Sequence, residues 1–330
     1  MKTKLSALLG IQYPIVQGGM QWVGRAELAA AVSNAGALGM VTARTQPSPD
    51  ELRHEIDRTR ALTSKPFGVN LTLSFAARDM AYGDWVRAIV DSGVKIVETA
   101  GNNPRALIEA FKEHGITIVH KCTSIRHALS AQRYGADIIS IDGFEAAGHP
   151  GEDDVPGLVL LPLACEQLDA PVLASGGIAD GRGMAAALSL GADGVNIGTR
   201  FMMTKESPIH ENVKQALLGA NERDTILIKR TFRHTGRFYK NAVSEEIVAM
   251  EHRPQGATYE DIQHLLAGSR GRAAMRSGDV HGGLICASQT IGLIDDIPSC
   301  EELVSRMVAQ CRTALGAALK ASDALTNHYA

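Results

Sequence analysis

PVLASGGIADG (Pro171–Gly181) and, one helix-length later, GADGVNIGTRF (Gly191–Phe201) are the stretches that decide the fold. Each is a short apolar run that ends in small residues with free backbone N–H groups, Ser175-Gly176-Gly177 in the first and Gly198-Thr199 in the second. Two such strand ends lying side by side form a cradle of amides suited to a phosphate. In a closed barrel of alternating strands and helices, a ligand's phosphate sits after the seventh and eighth strands. The reading therefore turns on whether these are strands seven and eight.

Counting back makes them so. Apolar, β-branched runs begin at Pro14, Gly36, Pro66, Val94, Ile116, Ala136, Pro171 and Gly194, which makes eight with starts 20 to 35 residues apart. That interval fits a strand, a turn, a helix and a turn back. The runs are continuously apolar, as strands of a parallel sheet buried on both faces require. Segments such as RAELAAAVSNAG, PRALIEAFKEHG and RGMAAALSLG lie between them, have helical periodicity, and mostly close in Gly as a helix C-terminus prefers. Eight such units predict an α/β protein of the (β/α)8 TIM barrel type. A doubly wound sheet is the runner-up, but no G-x-G-x-x-G occurs. After Phe201 the period breaks, and residues 204–279 read as a small, mostly helical insertion around a basic strip, KRTFRHTGR. The barrel then comprises 1–203 and 280–330. Its last helix falls on CEELVSRMVAQCRTAL, and HGGLICASQTIGLIDDIP returns over the mouth.

The 330 residues suit one large domain with an appendage, and the formal charge of −3 offers no basic footprint for nucleic acid. No apolar run approaches the roughly 18 residues of a membrane span, and the N-terminal apolar patch is too short and broken for a signal peptide. Five scattered cysteines without a C-x-x-C pair read as reduced thiols of a cytoplasmic protein. A homodimer is the oligomer we allow for.

Active sites of this fold lie at the C-terminal strand ends. Those ends carry Gln17, Gly19, Met20 and Gln21 on the first strand, Asn70 and Thr72 on the third and Glu98 on the fourth. Lys121 follows on the fifth, Asp142 on the sixth, and the amide cradle on the last two. No His or Cys pair has metal-ligand spacing, so no metal is expected. A phosphate cradle, a polar mouth and one lysine suit a sugar phosphate, pyridoxal phosphate with Lys121 as Schiff base, or flavin mononucleotide (FMN) with Lys121 beside the ring. A cation there would favour the reduced, anionic flavin. Of the three, flavin is modestly preferred. Cys122 should alternate to the opposite face of its strand. The strip Lys229, Arg230, Arg233, His234 and Arg237 reads as a solvated face in preference to a path for a nicotinamide pyrophosphate.

VQGGMQWVGRAELAAAVSNAGALG, FGVNLT, HKCT, DGFEAAGHPGEDD, ASGGIADGRG and GADGVNIGTRF together resemble the nitronate monooxygenase (2-nitropropane dioxygenase) family of FMN-dependent barrels, over about Leu5 to Ala318. QGGMQWVGRAEL, ETAGNNP and GFEAAGHPGEDDVPGLVLLP are most similar to its bacterial NADH:quinone reductase group. The resemblance implies FMN contacts at Gly19, Met20, Gln21, Thr72, Lys121, Asp142, Gly148, Ser175, Gly176, Gly177, Gly198 and Thr199. It also implies an active-site histidine at His149, which joins Lys121, catalytic through its electrostatic role; Gln289, in the returning segment, is a weaker candidate for the ring's surroundings. The loop Glu145-Ala146-Ala147-Gly148-His149-Pro150 departs from the E-G-G-G-H pattern associated with nitronate oxidisers. The expected reaction is therefore hydride transfer from NAD(P)H to FMN and reduction of a quinone, with His149, of ordinary pKa about 6.5, moving the proton. Oxidation of a nitronate by O2 is the alternative, and a non-redox phosphate-binding barrel the remote one.

Overall fold

A computed structural model describes residues 3–73 and 82–326. Eight parallel strands form one sheet: β1 (Ile15–Gln17), β2 (Gly39–Thr42), β3 (Phe67–Leu73), β4 (Ile96–Gly101), β5 (Thr117–Cys122), β6 (Ile138–Asp142), β7 (Val172–Ser175) and β8 (Gly194–Ile197). β1 pairs with β8, and the bridge Val16↔Leu38 joins β1 to the start of β2, with Gln17 N–H and Leu38 N–H each donating across it. The sheet thus closes into the (β/α)8 barrel.

Helix α1 (Lys4–Leu9) precedes β1, and helices α2 (Ala26–Asn34), α3 (Pro49–Leu62), α4 (Tyr82–Asp91), α5 (Arg105–Lys112), α6 (Ile125–Arg133), α7 (Gly157–Gln167) and α8 (Gly181–Ser189) follow successive strands. Polar caps start several of them. Ser48 accepts Glu51 N–H with Pro49 at the first helical position, Ser124 accepts His127 N–H, and Asp180 accepts Arg182 and Gly183 N–H.

Alternation along the strands sorts the interior. Val16, Leu38, Met40, Ile96, Val119, Ile138 and Leu173 form an apolar floor, plugged from the N-terminal end by Leu5 and Leu9 of α1. Towards the C-terminal ends of several strands the inward positions become polar, for example Ile96 to Glu98, Val119 to Lys121 and Leu173 to Ser175. The intervening residues, such as Val97, Ile118 and Cys122, face the helix layer, so Cys122 packs away from the mouth.

Beyond β8, α9 (Thr199–Met202) and α10 (Glu211–Leu218) lead to a hairpin, β9 (Thr225–Ile228) and β10 (Gly236–Tyr239), then α11 (Ala242–Glu251), α12 (Tyr259–Leu266) and α13 (Gly268–Ser277). The insertion is mostly helical, and the hairpin is the element that the sequence reading did not anticipate. The basic strip is the hairpin's turn and second strand, with Lys229 (φ 61°) and Arg233 (φ 50°) in left-handed conformation. Ile228 and Phe238 from the hairpin pack with Val243, Ile247, Met250, Ile262 and Leu265 in a separate cluster. The final helix, α14 (Cys300–Thr326), returns to pack on α8 and α2. Among the described residues, no helix is long and apolar enough to cross a membrane.

Candidate functional site

The polar layer above the apolar floor is organised by Glu98, whose side chain is fully buried. Its Oε1 accepts Gly19 N–H at 2.9 Å and Asn70 Nδ2 at 2.8 Å, and its Oε2 accepts Asn196 Nδ2 at 2.9 Å. Three donors on one buried carboxylate compensate its desolvation and pin the loop after β1 to the barrel axis. Met20 N–H donates to Thr42 Oγ1 at 3.0 Å, and the thioether of Met20 lies 3.6 Å from where a Cβ on Gly198 would stand. Thr72 Oγ1 reaches Asn70 Oδ1 at 3.2 Å. Gln21 is exposed, its amide 3.5 Å from a Cβ position on Gly268.

Lys121 Nζ stands 3.5 Å from Asp142 Oδ2. Burial pushes its ammonium pKa down, but the carboxylates of Asp142 and Glu98 outweigh that and hold it above its usual value. The lysine is therefore charged, which sets aside a neutral amine poised to form a Schiff base. Asp142 Oδ1 and Asn196 Oδ1 are buried acceptors without a hydrogen-bond partner among the described residues. Orphans of this kind at a strand-end mouth point to a ligand with donors.

Asp142, Ser175 and Asn196 are register partners across β6, β7 and β8. Gly176 (φ 82°) and Gly177 (φ 73°) turn the chain after β7, and Gly198 caps α9. The N–H groups of Gly176, Gly177 and Gly198 donate to no backbone carbonyl among the described residues. Thr199 Oγ1 accepts Ser288 N–H at 3.1 Å, anchoring the returning segment beside the cradle. Free amides for a phosphate and a floor of orphaned acceptors beside a lysine ammonium fit a mononucleotide with a planar, hydrogen-bonding ring.

The loop after β6 is stitched to the hairpin. Gly148 (φ 73°) exchanges both backbone hydrogen bonds with Arg237, Glu152 accepts Thr235 N–H and Oγ1, and Asp154 pairs with Arg230 at 2.7 Å. Arg237 is buried, lies 4.6 Å over the Phe144 ring and donates to the Phe144 carbonyl. Gln289 N–H donates to the Glu145 carbonyl.

These contacts bring His149 to Lys229. Lys229 Nζ lies 3.3 Å from His149 Nε2 and 3.1 Å from His234 Nδ1, and the two imidazole centroids are 4.5 Å apart. An ammonium has only donors, so both imidazole nitrogens accept and His149 keeps its proton on Nδ1. His149 is exposed, although Lys229 and His234 crowd its ring. Desolvation by the surrounding protein, followed by the Lys229 charge, depresses its pKa below the usual value. Burial likewise lowers the Lys229 ammonium. For His149 both causes favour the neutral imidazole, with a pKa below the ordinary one from which the sequence reading starts. Lys229 and Arg237 are buried, which corrects the solvated-face reading for those two residues, whereas Arg230, Arg233 and His234 are exposed as that reading expects.

All the residues singled out from the sequence therefore lie on the C-terminal end of the barrel or the loops that follow. Among the described residues, no cluster of His, Cys, Asp or Glu could hold a metal. The sequence reading missed Asn196, Thr42 and Ser288, and undervalued Lys229 and His234. Asn196 was open to discovery, since it sits one inward position before Gly198 on β8.

Comparison with known proteins gives this geometry its context. The profile of the family described as Nitronate monooxygenase matches residues 2–310. The chain is 31% identical to the (3aS,4S,5R,7aS)-5-hydroxy-7a-methyl-1-oxo-octahydro-1H-indene-4-carboxyl-CoA dehydrogenase of Rhodococcus jostii, with 98% of each chain covered. Among solved structures it resembles FabK from Thermotoga maritima (TM-score 0.90, 34% identity, 97% of this chain and 99% of that one). It also resembles the nitroalkane oxidase of Streptomyces ansochromogenes (TM-score 0.78, 30% identity, 94% and 99%). A match this continuous, on a barrel whose strand ends carry a mononucleotide-shaped donor set, makes the chain an oxidoreductase of the nitronate monooxygenase family.

Proposed function

We propose that this enzyme is an FMN-dependent NAD(P)H:quinone reductase. The family implies a flavin, and bound FMN would supply two-electron chemistry between NAD(P)H and the acceptor. Gly176, Gly177, Gly198 and Thr199 would hold its phosphate. Gly19, Met20, Gln21, Thr72, Asp142, Gly148 and Ser175 would surround the rest, with Lys121 as the cation beside the ring. The net reaction takes NAD(P)H, a proton and a quinone to NAD(P)+ and a quinol.

The observation that carries the reading is the Lys229–His149 contact. The Nε2 lone pair of His149 is engaged by Lys229, so what remains for a substrate is the Nδ1–H donor. A donor polarises a carbonyl oxygen, whereas abstraction of a nitroalkane α-proton needs the lone pair. As negative charge develops on that oxygen, Nδ1–H gives its proton while Nε2 takes one from Lys229. The depressed lysine pKa makes that transfer easier.

The full-length likeness to a carboxyl-CoA dehydrogenase favours a second reading, in which a thioester-activated carbon skeleton replaces the quinone. Anaerobic stopped-flow mixing tests both. Rapid bleaching of the flavin by NADH or NADPH, followed by reoxidation with a quinone, is the expected result. Reoxidation only by an unsaturated acyl-CoA selects the second reading. Bleaching by an alkyl nitronate and not by NAD(P)H would overturn both.

A further inference from the structure

Three guanidinium groups gather on one indole at the rim of the barrel. Trp22 follows Met20 and Gln21 in the loop after β1, and its ring centroid lies 4.8 Å from the Arg25 guanidinium carbon, 5.8 Å from that of Arg272 and 5.7 Å from that of Arg276. Arg25 is partly balanced by Glu55 at 3.6 Å. Arg272 and Arg276, one turn apart on the exposed face of α13, form no ion pair among the described residues. Like charges drawn together without a counterion mark a place for an anion, and guanidinium forks match phosphate.

Two further observations make this a built feature. Trp22 adopts φ 71°, a conformation rare for a bulky residue, and is held there by its N–H to Thr45 Oγ1 at 2.7 Å. Its indole Nε1 is shielded from solvent with no acceptor among the described residues. A flat, electron-rich ring edged by guanidinium groups that form no ion pair has the chemistry to take an adenine and its ribose phosphate.

We propose that the Trp22, Arg272 and Arg276 rim binds the phosphorylated adenosine end of an extended substrate that reaches the flavin. The 2′-phosphate of NADPH and the 3′-phosphate of coenzyme A share this chemistry. The proposal rests on the NAD(P)H-linked or thioester-linked reading above and names where such a substrate's tail docks.

Isothermal titration calorimetry on the flavin-loaded enzyme, with adenosine 2′,5′-bisphosphate, adenosine 3′,5′-bisphosphate and AMP as probes, tests it without turnover. At least one bisphosphate should bind about tenfold or more tightly than AMP, and the Arg272→Gln/Arg276→Gln double variant should lose that advantage. Arg272→Lys should retain part of it. Preference for the 2′ isomer assigns the tail to NADPH and preference for the 3′ isomer to coenzyme A. Equal binding of all three probes, no binding, or a double variant that keeps the preference overturns the proposal. NADH lacks the extra phosphate, so its bleaching of the flavin tests the reductase reading separately.

Discussion

Replacing Lys229 by Met removes a charge while keeping an unbranched side chain in a hairpin turn that already holds φ 61°. At 3.3 Å from His149 Nε2, a unit charge disfavours protonation of that ring by about 1.3 kcal/mol even at the dielectric constant of water. Because the mouth is open to solvent, that value serves as the floor. It corresponds to about one pKa unit. In the unsubstituted enzyme His149 is held down to about 3, with desolvation the largest cause and Lys229 the next. In Lys229→Met desolvation persists, so the His149 pKa should rise by about one unit or more while staying below 6.5. Imidazole NMR of the two proteins, with His149 assigned through His149→Gln, measures the shift. The acceptor half-reaction should be flat between about pH 5 and 8 in the unsubstituted enzyme and slower by tenfold or more, of the order of general-acid effects, in the variant. A His149 that titrates near 6.5 in the unsubstituted enzyme, or one unmoved by the substitution, refutes the ammonium-to-imidazole assignment.

Gly176→Ala puts a Cβ 3.1 Å from Ala146 Cβ and the Gly143 carbonyl at a left-handed position, a penalty of about 1–2 kcal/mol. FMN should be held about tenfold more weakly, read by fluorescence on flavin release. Lys121→Met should make the bound flavin harder to reduce, by about 30 mV for each tenfold loss of preference for the reduced form; an unaltered midpoint potential would retire the electrostatic role. His120 is 3% exposed and burial pushes its pKa down to about 4. Between about pH 6.5 and 4 the unfolded chain therefore binds the extra proton, and stability is lost as the pH is lowered, by about 3 kcal/mol in all. His120→Gln should flatten that part of the urea-denaturation profile.

The barrel was legible because strand alternation and repeat length are local. Ile96 then Glu98, Val119 then Lys121, and Leu173 then Ser175 carry the inward face in plain order, and the Gly-rich ends of β7 and β8 announce the cradle. The hairpin was not legible, since runs of four residues such as TILI and GRFY are too short for a two-residue period to be told from a helical one. Nor could buried Lys229 and Arg237 be told from the exposed rest of the basic strip. His149 and Lys229 are 80 residues apart, and only the pairing of Gly148 with Arg237 brings them together. Before that pairing is known, five basic residues in nine look like a solvated surface.

Lys229 also shows how function and stability part company in this mouth. Its side chain is buried, its backbone is left-handed, and among the described residues its ammonium makes no ion pair, only contacts to two imidazoles. Glu251 takes the Lys229 N–H rather than the ammonium. A charge buried beside neutral acceptors is poorly compensated, so replacing it with an apolar side chain of similar length removes a desolvation cost. Lys229→Met should therefore melt at the same temperature as the unsubstituted protein or higher, even as the acceptor half-reaction slows. A structural lysine would give the opposite sign. Removing it would leave His149 and His234 without their shared donor, loosen the loop after β6, and lower the melting temperature along with the rate. The two measurements on one variant thus separate a proton-carrying residue from a packing one.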